Sequence, residues 1–376
     1  MSEQTFADGE IESIRQELGA WYDGHRRDLP WREIDDPYKT WVAEMMLQQT
    51  QVATVVDYYR RWLERFPDVE SVAEAEVDDV LELWEGLGYY RRARYLHRSA
   101  RKIVEEYGGN LPDTADELEE LIGVGPYTAG AIASIAFQES VPVVDGNVSR
   151  VLSRLRAIEG DPKSTDNKKL YWELAEALVD PDRPGDFNQA MMELGATVCV
   201  PSTPNCLLCP IRQQCRGFQE GEPAAYPDTA SRATPKPMSV AACLAVRRGP
   251  ERTEVLVSKR PADGLLGGLW EFPTLEVEAD SPAAETRRAI ERFLVDDLGY
   301  AILEAYRDRR LGSFTHRFFG RVVETDDRVE GPSAQEVEAA GGGWWPVDQL
   351  DELAMSAAMR RAEQFLEPLV DAEAQQ

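Results

Sequence analysis

Leu121–Asn147 reads LIGVGPYTAGAIASIAFQESVPVVDGN. It begins with a tight turn, Gly123-Val124-Gly125, between an apolar helix end at Leu118, Leu121 and Ile122 and a second helix expected over Thr128–Phe137. Glycine at both turn positions permits φ > 0 and leaves backbone N–H groups open at the start of that helix, the makings of a phosphate grip. Further on, Asp145-Gly146-Asn147 opens another helix, with Val148, Val151, Leu152 and Leu155 as its buried face. By itself Asp145 reads as an N-cap, and the turn as an ordinary helix–helix connection. Both readings depend on what the rest of the chain supplies.

The chain has 376 residues, enough for two domains, and 43% of them are hydrophobic, enough for real cores. The formal net charge is −27, with acidic excess on both sides of Lys236. Such a balance argues against a polyanionic partner at ordinary ionic strength. An acidic coat spread over the whole chain also suits very concentrated salt, where charge is screened, and the motifs below favour that reading. The alternative is a basic partner. Met1–Glu10 is polar and acidic, unlike a signal peptide, and apolar runs such as Ala129–Phe137 are too short to span a bilayer. A soluble, cytoplasmic protein is expected.

From Ile11 to Leu178 the periodicity is helical throughout, as in Ile11, Ile14, Leu18, Trp21 and Tyr22, or Val80, Leu81, Leu83 and Trp84. Breakers such as Pro30, Pro67, Gly86-Leu87-Gly88 and Pro142 separate the elements. Helices over Lys168–Leu178 and Phe187–Val198 follow, and the second leads into a cysteine cluster. Gly217–Pro237, with four prolines, reads as a linker. Beyond it the period shortens. Strands are expected at Val240–Val246, Glu254–Lys259 and Arg317–Glu324, a helix over Pro282–Leu298, and a last helix over Ser356–Leu366 after Trp344-Trp345-Pro346.

Four of the five cysteines, Cys199, Cys206, Cys209 and Cys215, form C-x6-C-x2-C-x5-C. Crowding of this kind in a large chain expected to be intracellular points to metal ligation rather than disulfides. Four thiolates in one loop can close on zinc or on a cubane iron–sulfur cluster. A single C-x2-C with wide flanks is unlike the paired knuckles of zinc sites. It resembles the [4Fe–4S] loop of helix-hairpin-helix DNA glycosylases.

LPWR at Leu29–Arg32, WVAEMMLQQTQV at Trp41–Val52 and GLGYYRRARYL at Gly86–Leu96 resemble the MutY-type adenine DNA glycosylases. So do GVGPYTAGAI at Gly123–Ile132, VDGNVSRVLSR at Val144–Arg154 and FNQAMMELGA at Phe187–Ala196. The resemblance implies removal of adenine mispaired with 8-oxoguanine, or less well with G, from a nucleotide flipped out of the duplex. It makes Glu44 the general acid at adenine N7 and Asp145 the carboxylate facing an oxocarbenium-like sugar. The division of labour is that of glycoside hydrolysis, one carboxyl protonated and the other ionised. Trp41, Val42, Met45 and Met46 around Glu44 should raise its pKa. Tyr127 and Asn147 are implied as hydrogen-bonding partners of the two carboxylates and the sugar. Trp31, Arg32 and Glu193 are implied as walls and polar contacts of the adenine pocket. Gln49 and Tyr89 match side chains that enter the base stack, and Gly123, Val124 and Gly125 the strand grip. Strand-cutting relatives carry lysine where this chain has Tyr127, so a monofunctional enzyme is expected.

GGLWEFP at Gly267–Pro273, with a helix behind it, looks like a Nudix-type fold. A working Nudix helix holds magnesium on glutamates, but the corresponding positions here are Phe293 and Asp296-Asp297, and Thr274 and Leu275 replace expected glycines. Nucleotide hydrolysis is therefore not expected of it. The resemblance instead implies reading of 8-oxoguanine by Phe314-Thr315-His316, where threonine stands in the family's usual serine position.

The expected architecture is multidomain. An all-α helix-hairpin-helix glycosylase domain, residues 1–216 with the [4Fe–4S] loop at 199–215, is followed by a linker at 217–237. An α+β Nudix-like domain at 238–368 and an acidic tail at 369–376 complete it. The expected partner is double-stranded DNA carrying A·8-oxoguanine or A·G, bound by a monomer. A G·T thymine glycosylase and a non-catalytic lesion sensor are the alternatives; the C-terminal module speaks against the first, the intact Glu44 and Asp145 pair against the second.

Overall fold

The computed structural model describes residues 5–32, 36–228, 238–248 and 253–261, and beyond these parts of 264–277, residues 285, 288–289 and 292, then 302–313, 316–325, 342–364 and 366. For 302–313 and 316–325 only the backbone is described. The chain divides into two compact units, residues 1–74 with 95–233, and residues 75–94 with 234–376.

The first unit is helical: α1 Asp8–His25, α2 Pro37–Leu47, α3 Val52–Arg65 and α4 Val69–Glu74, then, after α5 Val77–Leu83 of the second unit, the body of α6 Arg91–Tyr107. After these come α7 Ala115–Leu118, α8 Pro126–Ala136, α9 Gly146–Arg156, α10 Thr165–Leu178, α11 Pro184–Thr197 and α12 Arg216–Gln219. Several starts follow from local chemistry. Asp36 accepts the Lys39 N–H and Pro37 occupies the first turn of α2, where its missing N–H costs nothing. Ser164 and Thr114 cap α10 and α7 in the same way.

The core joins α1, α9, α10 and α11 through Ile14, Leu18, Leu152, Leu155, Leu174 and Leu194. Each such side chain contributes about 1.5–3 kcal/mol on burial. Helices α2 and α8 are buried on nearly all sides, which their low polarity permits. Gly195 on α11 makes a close approach possible: a Cβ there would lie 2.7 Å from the Asn147 Cβ, so any side chain would push α11 off the start of α9. In the hairpin turn Gly123 has φ +84°, and a Cβ would strike the Tyr95 ring. Gly125, where glycine equally permits φ > 0, is extended, at φ −107°, as the N-cap of α8.

The stretch expected as a linker is ordered in its first half. Arg216–Gln219 is helical, Pro223–Ala225 is a 3-10 turn, and the Tyr226 carbonyl accepts from Arg154. Hydrogen bonding to the α9 arginine outweighs the proline content there.

The second unit holds β1 Met238–Arg248, β2 Thr253–Lys259, β3 Trp270–Glu271, β4 Thr274–Val277, β5 Ile302–Ser313, β6 His316–Thr325 and β7 Gly342–Pro346. Among the described residues these form one mixed sheet in the order β3-β2-β1-β6-β5, with β4 on β1 and β7 on β2. Only the β1–β6 pair is parallel among the described strands. The three expected strands are present, and β5 is one that sequence reading missed. Leu244, Val255, Val257, Phe272, Leu350 and Met355 fill the core between the sheet and the last helix, Ala357–Glu363. The expected helix over Pro282–Leu298 falls mostly outside the described residues.

The segment 75–94 is part of this second unit. Lys259 Nζ lies 2.6 Å from both Asp78 carboxylate oxygens, and Arg360 forks onto Glu85.

Candidate active site

Within the first unit, α2, α8, α11, the start of α9 and the 27–32 loop enclose a cavity of about 190 Å³. Glu44, Tyr127, Asp145, Asn147, Trp31, Arg32 and Glu193 all line it. Residues spread from position 31 to position 193 are thus gathered at one place.

Glu44 projects from the middle of α2 and is 5% exposed. Its one hydrogen bond given by the structure comes from the Tyr127 hydroxyl, which donates to Oε2 at 2.9 Å. Burial pushes its pKa up to about 7, against the lowering effect of Tyr127 and with the help of the Asp145 charge. A carboxyl poised there is protonated often enough near neutrality to act as an acid.

Asp145 caps α9. Its Oδ1 accepts the Val148 N–H at 2.7 Å and its Oδ2 accepts from Asn147 Nδ2 at 2.9 Å. Burial raises its pKa too, but the Val148 and Asn147 donors and the Arg150 guanidinium all pull the other way. The positive end of the helix adds to this. Two carboxylates in one cavity therefore have different surroundings: among the described residues Glu44 receives one phenol donor, whereas Asp145 receives several donors that reduce, without reversing, the rise that burial causes.

Asp145 is a cap and a cavity residue at once. The hydrogen bond that starts α9 fixes the carboxylate's direction.

Glu193, on α11, is 1% exposed and also lines the cavity. Burial would raise its pKa, yet Arg27 and Arg32 hold it down at about 2. Arg27 Nε and Nη2 lie 2.7 and 2.8 Å from its two oxygens, and Arg32 Nη2 lies 2.6 Å from Oε2. Trp31 packs edge-on to Tyr59 at 5.6 Å between ring centroids. This part of the lining combines a flat aromatic with an ionised carboxylate held by two arginines. Arg27 was not singled out from the sequence, and neither was Met192, whose sulfur accepts a second contact from Tyr127 at 3.3 Å. Arg27 stands only four residues before Trp31, but nothing local signals its ion pair.

The remaining candidates stand elsewhere. Gly123-Val124-Gly125 forms the α7–α8 turn, and Gln49 follows α2 as an exposed residue with φ +57°. Tyr89 belongs to the second unit, with φ +50° and 58% exposure. Left-handed backbone in residues other than glycine costs about 1–3 kcal/mol and persists where surroundings over-determine it. Phe314 and Thr315 lie outside the described residues, as do Phe293, Asp296 and Asp297; His316 begins β6.

The four cysteines are free thiols, three half-buried and Cys215 buried, in the loop after α11. Among the described residues no three such side chains are drawn to metal-holding distance. The donor set nevertheless fits a four-thiolate group. Burial, with the neighbouring sulfurs adding to it, pushes Cys209 up to about 12 and Cys215 to about 11. Thiols so crowded ionise when a bound cation compensates them. Backbone N–H groups of Ile211 and Phe218 already face the Cys209 and Cys215 sulfurs, and Arg154 Nη1 lies 3.2 Å from that of Cys199. Arg154, only 2% exposed, also donates to the Cys199, Val200, Pro201 and Tyr226 carbonyls. Arg150 spans the Cys199 and Gly195 carbonyls and the Asn147 amide oxygen.

Residues 42–177 match the HhH-GPD superfamily base excision DNA repair protein family, and residues 242–364 the NUDIX domain. The human adenine DNA glycosylase is 40% identical, the alignment covering 94% of this chain and 73% of the human one. This chain belongs to the adenine DNA glycosylase family. The Arabidopsis thaliana adenine DNA glycosylase is 41% identical over 84% of this chain and 56% of its own. Among solved structures, a thermostable thymine-DNA glycosylase is 28% identical, covering 57% of this chain and 98% of that one, with a TM-score of 0.52. The activity is that of an adenine DNA glycosylase in base excision repair, a hydrolase of N-glycosyl bonds that works on DNA. The adenine DNA glycosylase thus carries its helical repair fold and a Nudix-like module in one chain.

Proposed function

We propose that this adenine DNA glycosylase removes adenine paired with 8-oxoguanine, and less efficiently with G, after flipping the nucleotide out of the duplex. The observation that carries the mechanism is the difference in hydrogen-bond donors around the two cavity carboxyls. Glu44, near pKa 7, gives its proton to adenine N7 as the N-glycosidic bond lengthens. The departing base leaves as a neutral species, and the sugar gains oxocarbenium character. Asp145, held by Val148 N–H and Asn147, faces that positive charge and guides water to C1′. Tyr127 holds Glu44 in place through its 2.9 Å hydrogen bond. Trp31 provides a stacking wall, and the Arg32–Glu193 pair presents polar edges to the base.

Tyr127 offers no amine for a Schiff base, so strand cleavage is weak or absent. Borohydride should trap no covalent enzyme–DNA adduct. Gln49 and Tyr89 are proposed to enter the base stack, and the Gly123–Gly125 turn to hold a phosphate. Phe314-Thr315-His316 in the Nudix-like module is assigned to 8-oxoguanine. Cys199, Cys206, Cys209 and Cys215 would hold a [4Fe–4S] cluster, which when bound ties its loop together. Iron and acid-labile sulfide in anaerobically purified protein test that assignment; zinc alone would contradict it. A monomer in the cytoplasm, where thiols stay reduced, is the proposed working form.

The likeness to a thymine-DNA glycosylase keeps a G·T activity as the second reading. Duplexes carrying A·8-oxoguanine, A·G and T·G, cut by alkali after single-turnover reaction, decide between them. Adenine release in the order A·8-oxoguanine, then A·G, is expected; release of thymine instead would favour the second reading.

A further inference from the structure

The turn that carries Tyr89 is held far more firmly than an exposed loop needs to be. Gly86 and Gly88 take φ +90° and +77°, and Tyr89 itself is left-handed. Trp84 Nε1 donates to the Gly88 carbonyl at 3.0 Å, the Tyr90 hydroxyl accepts the Gly86 N–H at 3.1 Å, and Arg92 Nη2 reaches the Gly88 carbonyl at 3.1 Å. The Arg92 guanidinium lies 5.3 Å from the Trp84 ring centroid and 5.5 Å from that of Tyr89.

Just before this turn stands Glu85, and its partner comes from the end of the chain. Arg360, on the last helix, donates from Nε to Glu85 Oε1 at 2.6 Å and from Nη2 to Oε2 at 3.0 Å. The Met355 N–H adds a third contact to Oε2 at 3.3 Å, and the Tyr90 hydroxyl reaches the Met355 carbonyl at 3.4 Å. Arg360 is itself immobilised, with Nη1 on the Leu350 carbonyl and Glu363 and Nη2 on the Leu353 carbonyl. A two-pronged guanidinium–carboxylate pair fixes orientation as well as distance, which a lysine could not do.

We infer that Arg360 is a positioning residue for Tyr89: through its fork on Glu85 the last helix sets the Trp84–Tyr90 turn and thereby the aromatic wedge that enters the base stack. This rests on the reading of Tyr89 as that wedge. The module read as an 8-oxoguanine sensor would then also brace the residue that opens the stack.

The test is a mutant cycle in the full-length protein with Arg360→Ala, Tyr89→Ala and the two combined. Glu85→Gln serves as a milder break of the same fork should Arg360→Ala fail to fold. Single-turnover adenine release is measured on A·8-oxoguanine duplexes, with 2-aminopurine beside the mispair reporting stack opening. Base–aromatic stacking is worth about 1–3 kcal/mol, so Tyr89→Ala should lower the rate about five- to 150-fold and suppress the 2-aminopurine signal. Arg360→Ala should lower both by a smaller factor, about three- to tenfold for roughly 1 kcal/mol. Arg360→Lys should recover little, and adding Arg360→Ala to Tyr89→Ala should change almost nothing. Multiplying effects in the double variant, or a full 2-aminopurine signal in Arg360→Ala, would overturn the inference while leaving Tyr89 as the wedge. No effect of Tyr89→Ala would remove the wedge reading and the inference with it.

Discussion

Two regions of the cavity lining, the middle of α2 and the head of α9, differ in how they treat the same functional group. On α2, a carboxyl is set among apolar side chains with one phenol for company, and neutrality is favoured. At the head of α9, a carboxyl receives a backbone N–H, a side-chain amide and the field of an arginine. Both are pushed upward by burial; Tyr127 alone opposes the rise at Glu44, whereas several donors oppose it at Asp145, though its pKa stays raised. Acid and anion roles thus follow from surroundings, since Glu and Asp differ little in water.

Removing the acid should break this division most visibly. Glu44→Gln is expected to lower the single-turnover rate by about 10²–10⁴-fold, the usual share of general acid catalysis. Asp145→Asn keeps the cap geometry but removes the charge, with an expected loss of about 10²–10³-fold, as for other fixed transition-state charges. If Asp145→Asn instead left the rate intact, the anion role would fail. Tyr127→Phe sharpens the contrast. It removes the donor that lowers the Glu44 pKa, so the alkaline limb of the rate profile should move up, by about one unit for each 1.4 kcal/mol lost.

Stability carries the same signature. Glu44 has a folded pKa raised above its unfolded value, so its neutral form stabilises the protein at low pH and that contribution is lost as pH rises through about 7. Glu44→Gln should therefore melt higher than the parent at pH 8, by about 2–4 °C for each 1 kcal/mol, with the gap shrinking as pH falls below about 7 and closing near the unfolded value of 4.5. The smallest effect concerns salt. Adenine release should persist at molar salt, because the acidic surface lessens the steep weakening common to DNA-binding proteins. Best activity at low salt would contradict the adaptation reading.

The helical half was legible because its signals are local. Asp145 before an apolar 3.6-residue pattern predicts a cap, and Trp41, Met45 and Met46 around Glu44 predict a raised pKa; both hold in the structure. Gathering Glu44, Tyr127 and Asp145 in one cavity came only from the family resemblance, since no spacing rule brings positions 44 and 145 together. Arg27 and Arg154 stayed hidden for the same reason. Their partners, Glu193 and the Cys199–Pro201 carbonyls, are far along the chain, so a buried arginine looks on paper like a solvated one. Strand β5 was missed because its AYRDRR stretch is too charged to show the expected alternation. At Gly125 the residue type alone left the backbone open: glycine permits φ > 0, but the N-cap position of α8 takes extended backbone.

The central claim is that Glu44 supplies the proton from a pKa near 7. The direct test is the pH dependence of single-turnover adenine release from an A·8-oxoguanine duplex, between pH 5.5 and 9, for the parent and Glu44→Gln. The account predicts a rate that falls tenfold per unit above about pH 7 in the parent, with that limb absent from the residual activity of Glu44→Gln. A parent rate that stays flat through pH 9, or the same limb in Glu44→Gln, would contradict it.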